Sequence, residues 1–274
     1  MMIAMSIKPP RTCIALSLAL LCMLVPSPSQ AAEVLPQGFV YLRDVDPSIP
    51  QDMRYAGSDN FTGHPVPGYD APECILASEA AKALARVQNA LESQGLSLKV
   101  YDCYRPGRAV QAFVDWARSP APDPDPSKNA HYPGLTRPEL LAQEYITAPS
   151  GHSLGTAVDL TIIPASSNAP PAGAPASPSP AQPDGGGVCT APRAERPPDN
   201  SVDMGTGFDC FAVLSHTANP SITPEQRRWR STLVDAMAAQ GFQNYPKEWW
   251  HFSIPLKGYD KHRDFPIEPR PSGE

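Results

Sequence analysis

Positive charge is scarce in this chain. Lys and Arg number 22 against 28 Asp and Glu, a formal net charge of -6, and no basic stripe gathers the cations along one stretch. Binding to a nucleic-acid backbone needs such clusters, so nucleic acid is excluded as an expected partner. Long apolar runs are equally few. The one uncharged run, Thr12 to Val25, follows Lys8 and Arg11 and precedes Pro-Ser-Pro-Ser-Gln-Ala-Ala. A basic start, an apolar middle too short for a permanent span and small residues after it predict a secretory signal peptide over 1–31, cleaved near Ala31 or Ala32. A short membrane anchor is the rival reading, and Ala19-Leu20-Leu21 lacks the small residue that lipid attachment at Cys22 would want beside it. Loss of Lys8 and Arg11 leaves 20 bases against 28 acids, a net charge of -8. The expected product is exported, periplasmic or secreted, with no stable membrane insertion and an oligomeric state left open.

Cysteine is sparse as well. Of 6 cysteines, Cys74, Cys103, Cys189 and Cys210 follow the leader, and none forms a CxxC pair, which removes the usual cysteine-ligated zinc site. Export makes disulfides plausible. Pairing Cys74 with Cys103 and Cys189 with Cys210 closes two local loops, with free buried thiols as the alternative.

Regular βαβ text is also missing, which argues against a doubly wound sheet. The remaining 32–274, read as a single domain, alternates helices and strands without a repeat and predicts an α+β fold: a mixed, mainly antiparallel sheet flanked by helices. Ala80, Ala83, Leu84, Val87 and Leu91 recur at helical spacing after Ser78, a candidate N-cap, and Gly95 marks the stop. A strand follows over 96–101, then a helix over 109–117. Next come a polar loop over 120–133, a short helix over 137–143 behind Thr136, and a β-branched strand ending near Ile163. Thr223, Pro224, Glu225 and Gln226 open a further helix reaching about Gln240. Strand-like text spans 242–254. Between 164 and 200 the composition collapses to Pro, Ala, Ser and Gly with ten prolines, which predicts a flexible insertion.

Against that background Glu248-Trp249-Trp250-His251-Phe252 is odd. A carboxylate and an imidazole set around two tryptophans must be desolvated, which costs free energy unless partners are close. A catalytic zinc centre uses three protein ligands and an open position for water. His152 and Asp159 bracket a glycine turn and the start of a strand, and strand alternation would turn His251 and Ser253 to one face and Phe252 and Ile254 to the other. Glu248, three residues before His251, is placed to take a proton from zinc-bound water and return it to a leaving amine. Arg105 offers a permanently charged fork for an oxyanion. Each has a plainer reading as a core histidine, turn acid or salt-bridge partner. His64, His131, His216 and His262 are assigned to such ordinary roles.

Five motifs in one order sharpen the choice: Tyr55 with Asp59-Asn60-Phe61-Thr62-Gly63; Tyr104-Arg105-Pro106; Ser150-Gly151-His152-Ser153-Leu154-Gly155-Thr156-Ala157-Val158-Asp159; Met204-Gly205-Thr206-Gly207-Phe208-Asp209; and Glu248-Trp249-Trp250-His251. On these the sequence resembles the D-alanyl-D-alanine dipeptidases of the VanX type, zinc D,D-peptidases related to the D,D-carboxypeptidases and the hedgehog signalling domain. The resemblance runs from about Tyr41 to Ile267, broken by the Pro-rich insertion. It implies a hedgehog/D,D-peptidase-like fold and one Zn2+ per chain on His152, Asp159 and His251. It also implies Glu248 as general base and acid, Arg105 as transition-state stabiliser, and Tyr55, Ser150 and Asp209 as residues holding the dipeptide, with Asp209 facing its ammonium group. The expected reaction is hydrolysis of D-Ala-D-Ala and related D,D-dipeptides by attack of zinc-bound water. A D,D-carboxypeptidase trimming peptidoglycan stem peptides is the alternative with the same chemistry. A non-catalytic zinc module for cell-wall peptides is the alternative from another class.

Overall fold

The computed structural model of the chain describes residues 35–165 and 188–271. The expected signal peptide over 1–31 and the middle of the Pro-rich insertion lie outside these residues. Among the described residues no helix is long and apolar enough to cross a membrane.

A short strand β1 (Phe39–Tyr41) leads directly into α1 (Leu42–Val45) and pairs antiparallel with β2 (Ile75–Ala77). β2 runs into α2 (Ser78–Glu92), whose Ala80, Ala83, Leu84, Val87 and Leu91 are all buried, as their spacing requires. Ser78 proves to be the first helical residue rather than the cap. Its N–H donates to the Gly38 carbonyl and that of Ala77 to the Gly155 carbonyl, so neighbouring backbone does the work of a capping side chain. Gly95 sits at φ +73° and turns the chain into β3 (Leu96–Asp102).

α3 (Gly107–Arg118) starts two residues earlier than its apolar pattern indicates, behind Pro106. The polar stretch expected to be a loop contains α4 (Pro126–His131), capped by the Asp125 carboxylate on the Ser127 N–H. α5 (Arg137–Ala142) opens on a capping box between Thr136 and Glu139. β4 (Ala157–Pro164), α6 (Pro224–Ala238), β5 (Gln243–Asn244) and β6 (His251–Ser253) complete the chain. α6 carries a second capping box, Thr223 with Gln226.

β3, β4, β6 and β5 form an antiparallel sheet in the order β3-β4-β6-β5. The fold is therefore α+β with antiparallel sheets flanked by helices. Val158, Leu160 and Ile162 of β4 are fully buried in the core, where α6 packs on β4 and α2 on β3, and alternation sends Asp159 to the other face. The register sets Asp102 of β3 opposite Asp159 of β4, and Asp159 opposite His251 of β6. Three strands thus deliver three polar side chains to one level of the sheet.

The strand expected over 242–254 is two short strands with a turn between them. Trp249 and Trp250 lie in that turn, both buried, with their rings packed edge to face at 5.3 Å. The Trp249 indole donates to Thr206 Oγ1 at 2.8 Å, so its polar edge is satisfied.

The cysteines pair as the local-loop reading expected, Cys74 with Cys103 and Cys189 with Cys210, across separations of 29 and 21 residues. Loops of that length are worth about 3 kcal/mol each in the chain-entropy account. The second bridge also corrects the extent of the flexible insertion. Residues 188–200, read from composition as part of it, are held in place: Cys189 by its disulfide, and Asp199 by Lys99 Nζ at 2.9 Å, Arg54 Nη2 at 3.2 Å and the Tyr101 hydroxyl at 2.8 Å. Paired charges and a covalent tie supply what the poor apolar content does not.

Candidate active site

His152 stands on a single 3-10 turn, Gly151–Leu154, between α5 and β4. Ser150 caps that turn, its Oγ accepting from the His152 N–H at 3.3 Å. Gly155 ends it at φ +74°, where an added Cβ would lie 2.3 Å from the Phe39 ring, so only glycine fits both the conformation and the space. The turn aims the His152 ring at the Asp159–His251 level of the sheet.

His152 Nδ1 is 2.7 Å from the Cys103 carbonyl. A carbonyl only accepts, so Nδ1 carries the proton and Nε2 presents a bare lone pair. Nε2 lies 3.1 Å from His251 Nδ1 and 3.4 Å from Asp159 Oδ1, and the last two are 2.9 Å apart. Ligand atoms held about 2.0–2.1 Å from a tetrahedral zinc sit roughly 3.4 Å from one another, so this triangle is nearly the right size. Two imidazoles and a carboxylate are also the donor set zinc favours. Among the described residues, His152, Asp159 and His251 are the group able to hold a metal ion.

The surroundings call for positive charge. A cleft of about 310 Å³ is lined by Asp159, Asp209, Glu248 and Arg105 among others, with Phe61, Phe113, Tyr145, Phe211 and Trp250 forming its apolar walls. Three buried carboxylates thus line the cleft with one guanidinium, which a fourth, Asp102, already pairs from behind. Glu248, in the turn before β6, has Oε2 3.9 Å from His251 Nδ1. Burial, reinforced by Asp159 and Asp209, pushes its carboxyl well above the ordinary range. Burial, followed by Asp159, lifts Asp209 to about 7. A cation entering the cleft would reverse both shifts.

Arg105 is braced rather than loose. Its Nε and Nη2 donate to Asp102 Oδ2 at 3.0 and 2.8 Å, Nη2 lies 3.7 Å from Asp159 Oδ2, and the guanidinium stacks near the rings of Tyr55 and Phe113. Tyr55 donates its hydroxyl to Asp209 Oδ2 at 2.7 Å. All the residues singled out from sequence, Tyr55, Arg105, Ser150, His152, Asp159, Asp209, Glu248 and His251, line this one cleft.

A family model described as D-ala-D-ala dipeptidase matches residues 36–169 and 192–268. The chain belongs to this peptidase family. Within the D-Ala-D-Ala dipeptidase family it is 31% identical over 232 residues to the D-alanyl-D-alanine dipeptidase of Enterococcus faecium, covering 84% of this chain and 98% of that one. It is 32% identical over 230 residues to the Streptomyces coelicolor protein of the same name, with 84% and 98% covered. The Escherichia coli protein of that name is 31% identical over 216 residues, 79% of this chain and 84% of its own. The family match pauses between 169 and 192, inside the Pro-rich insertion.

Asp102, which sits behind the cleft and braces Arg105, was passed over by sequence reasoning. It is fully buried and gathers Arg105, the Tyr69 hydroxyl at 2.7 Å and the Cys103 N–H at 2.9 Å. Burial raises its carboxyl and Arg105 opposes the rise. Its one signal in the sequence is its place three residues before Arg105 at the end of an apolar strand.

Proposed function

We propose that this chain is an exported zinc dipeptidase that hydrolyses D-Ala-D-Ala and related D,D-dipeptides to free D-amino acids. The observation that carries the reading is the convergence of three ligand atoms within 3.4 Å of one another, with the Glu248 carboxylate beside them. His152, Asp159 and His251 would hold one zinc ion. Bound zinc supplies Lewis-acid chemistry there, easing deprotonation of water toward pH 7 and polarising a scissile carbonyl.

The remaining work falls to the protein's own groups. Glu248 receives the proton from the attacking water and passes it to the departing amine, a base and acid in turn. Arg105, braced by Asp102, presents a fixed positive charge to the oxygen that becomes negative as the carbonyl is attacked. Asp209, braced by Tyr55, receives the substrate's ammonium group. Ser150 lines the cleft beside His152 and completes the cradle for the dipeptide.

Length selection follows from Asp209. A carboxylate buried to 3% exposure gains from a free ammonium and loses when an acylated nitrogen is put in its place. Purified protein given equal concentrations of D-Ala-D-Ala and of a pentapeptide ending in D-Ala-D-Ala is expected to favour the dipeptide by roughly 10²-fold or more in kcat/KM, since an unpaired buried polar group costs at least that much. Preferential release of terminal D-Ala from the pentapeptide would assign the chain to the carboxypeptidase alternative instead.

A further inference from the structure

Asp209 is a non-glycine residue at φ +52°, a left-handed backbone that is uncommon outside glycine even though aspartate tolerates it better than most side chains. Its surroundings are unusually specific. The next residue, Cys210, is bridged to Cys189. The Cys189 N–H donates to the Asn129 carbonyl at 2.9 Å, and the Cys189 carbonyl accepts from the Gly207 N–H at 3.0 Å. The end of α4 closes the frame: the Phe211 N–H donates to the His131 carbonyl at 2.6 Å, and His131 Nδ1 lies 3.3 Å from the Asp209 carbonyl. A carbonyl only accepts, so His131 is the donor and its Nδ1 holds the proton.

We propose that the Cys189–Cys210 bridge and His131 form a clamp that positions Asp209, and that this clamp sets the enzyme's demand for a substrate with a free amino terminus. The proposal rests on the dipeptidase reading above, in which Asp209 receives the ammonium group. Neither half of the clamp lines the cleft, so both act through Asp209 and are positioning elements rather than catalytic residues. The bridge fixes the chain on the C-terminal side of Asp209. His131 fixes the carbonyl of Asp209 itself, and Tyr55 fixes the carboxylate. The three restraints leave the side chain one direction in which to point. The bridge also ties the Asp209 segment to the returning end of the Pro-rich insertion, so the insertion is anchored at the substrate's amino end of the cleft. An oxidising compartment is then a condition for full substrate selection and not only for stability.

The test uses the purified full chain loaded with zinc, comparing wild type with Cys189→Ala/Cys210→Ala, His131→Leu and His131→Asn. Each is assayed on D-Ala-D-Ala and on its N-acetylated form, with metal content and thermal unfolding measured in parallel. The bridge-free variant is expected to show KM for the free dipeptide raised about tenfold, kcat changed less than about threefold, and the preference for the free over the acetylated dipeptide reduced by a similar factor. His131→Leu, which keeps the bridge, moves both readouts in the same direction and reads the clamp even where the double variant does not fold. His131→Asn, whose amide can reach where Nδ1 stood, restores them. Unchanged KM and unchanged preference in folded, metal-loaded variants would overturn the clamp alone. An inactive zinc-loaded wild type would overturn the dipeptidase reading and the clamp with it.

Discussion

Glu248→Ala is expected to lower kcat on D-Ala-D-Ala by about 10²–10⁴-fold while zinc content stays at that of wild type. The size follows from the proposed mechanism, in which the carboxylate moves a proton in both halves of the reaction and no other acid is as well placed. Asp159 is committed to His152 and His251, and Asp209 to Tyr55. Metal retention follows from the triangle, which Glu248 adjoins without completing. Glu248→Gln keeps the shape and the hydrogen-bonding capacity but not the basicity, so it should fall with the alanine variant. Single-turnover assays alongside metal analysis check this result, and full activity in either variant contradicts the assigned proton transfer.

His152→Ala fails for a different reason. It removes one of the three atoms proposed to hold zinc and leaves the buried Cys103 carbonyl without the donor that reaches it at 2.7 Å. Outer partners of a metal site are worth 10–100-fold in affinity, and a direct ligand should cost more than about 100-fold. Turnover disappears with the metal, so kcat per bound zinc, measured in excess zinc, is the quantity that separates this variant from Glu248→Ala. Stability is also expected to respond. With the cation gone, burial and the neighbouring Asp159 charge hold the Glu248 and Asp209 carboxyls above the ordinary carboxylate range. A group whose folded pKa is raised binds its proton at higher pH in the native state than in the unfolded chain, so metal-free protein loses stability as pH rises through those values.

The two long helices could be read directly. Their apolar residues keep a 3.6 period and their ends carry glycine or a capping box, all local features. α4 could not, because a short, mostly polar stretch between prolines has no apolar period; what holds it is distant, the Cys189 N–H on Asn129 and the Phe211 N–H on His131. Residues 188–200 were lost to the same cause. Composition reports apolar content, whereas this segment is fastened by a disulfide and by Asp199 between Lys99 and Arg54.

The cleft residues were legible as types, since glutamate and histidine around buried tryptophans demand polar partners. Spacing alone did not bring His152 and Asp159 together with His251. The link between them is sheet register, Asp159 opposite His251, which only the ordered set of motifs suggested. Asp102 and His131 escaped because their importance lies wholly in what they touch: Arg105 in one case, the carbonyl of Asp209 in the other. Apart from the place of Asp102 three residues before Arg105, nothing in their neighbours along the chain marks them out.

Zinc titration of metal-stripped protein, followed by turnover of D-Ala-D-Ala at each addition, tests the account most directly. Activity is expected to rise in proportion to zinc bound and to level off at one ion per chain, with the unfolding temperature climbing over the same range because the ion binds the folded state alone. Undiminished turnover in the stripped protein, or a plateau reached with no zinc on His152, Asp159 and His251, would contradict it.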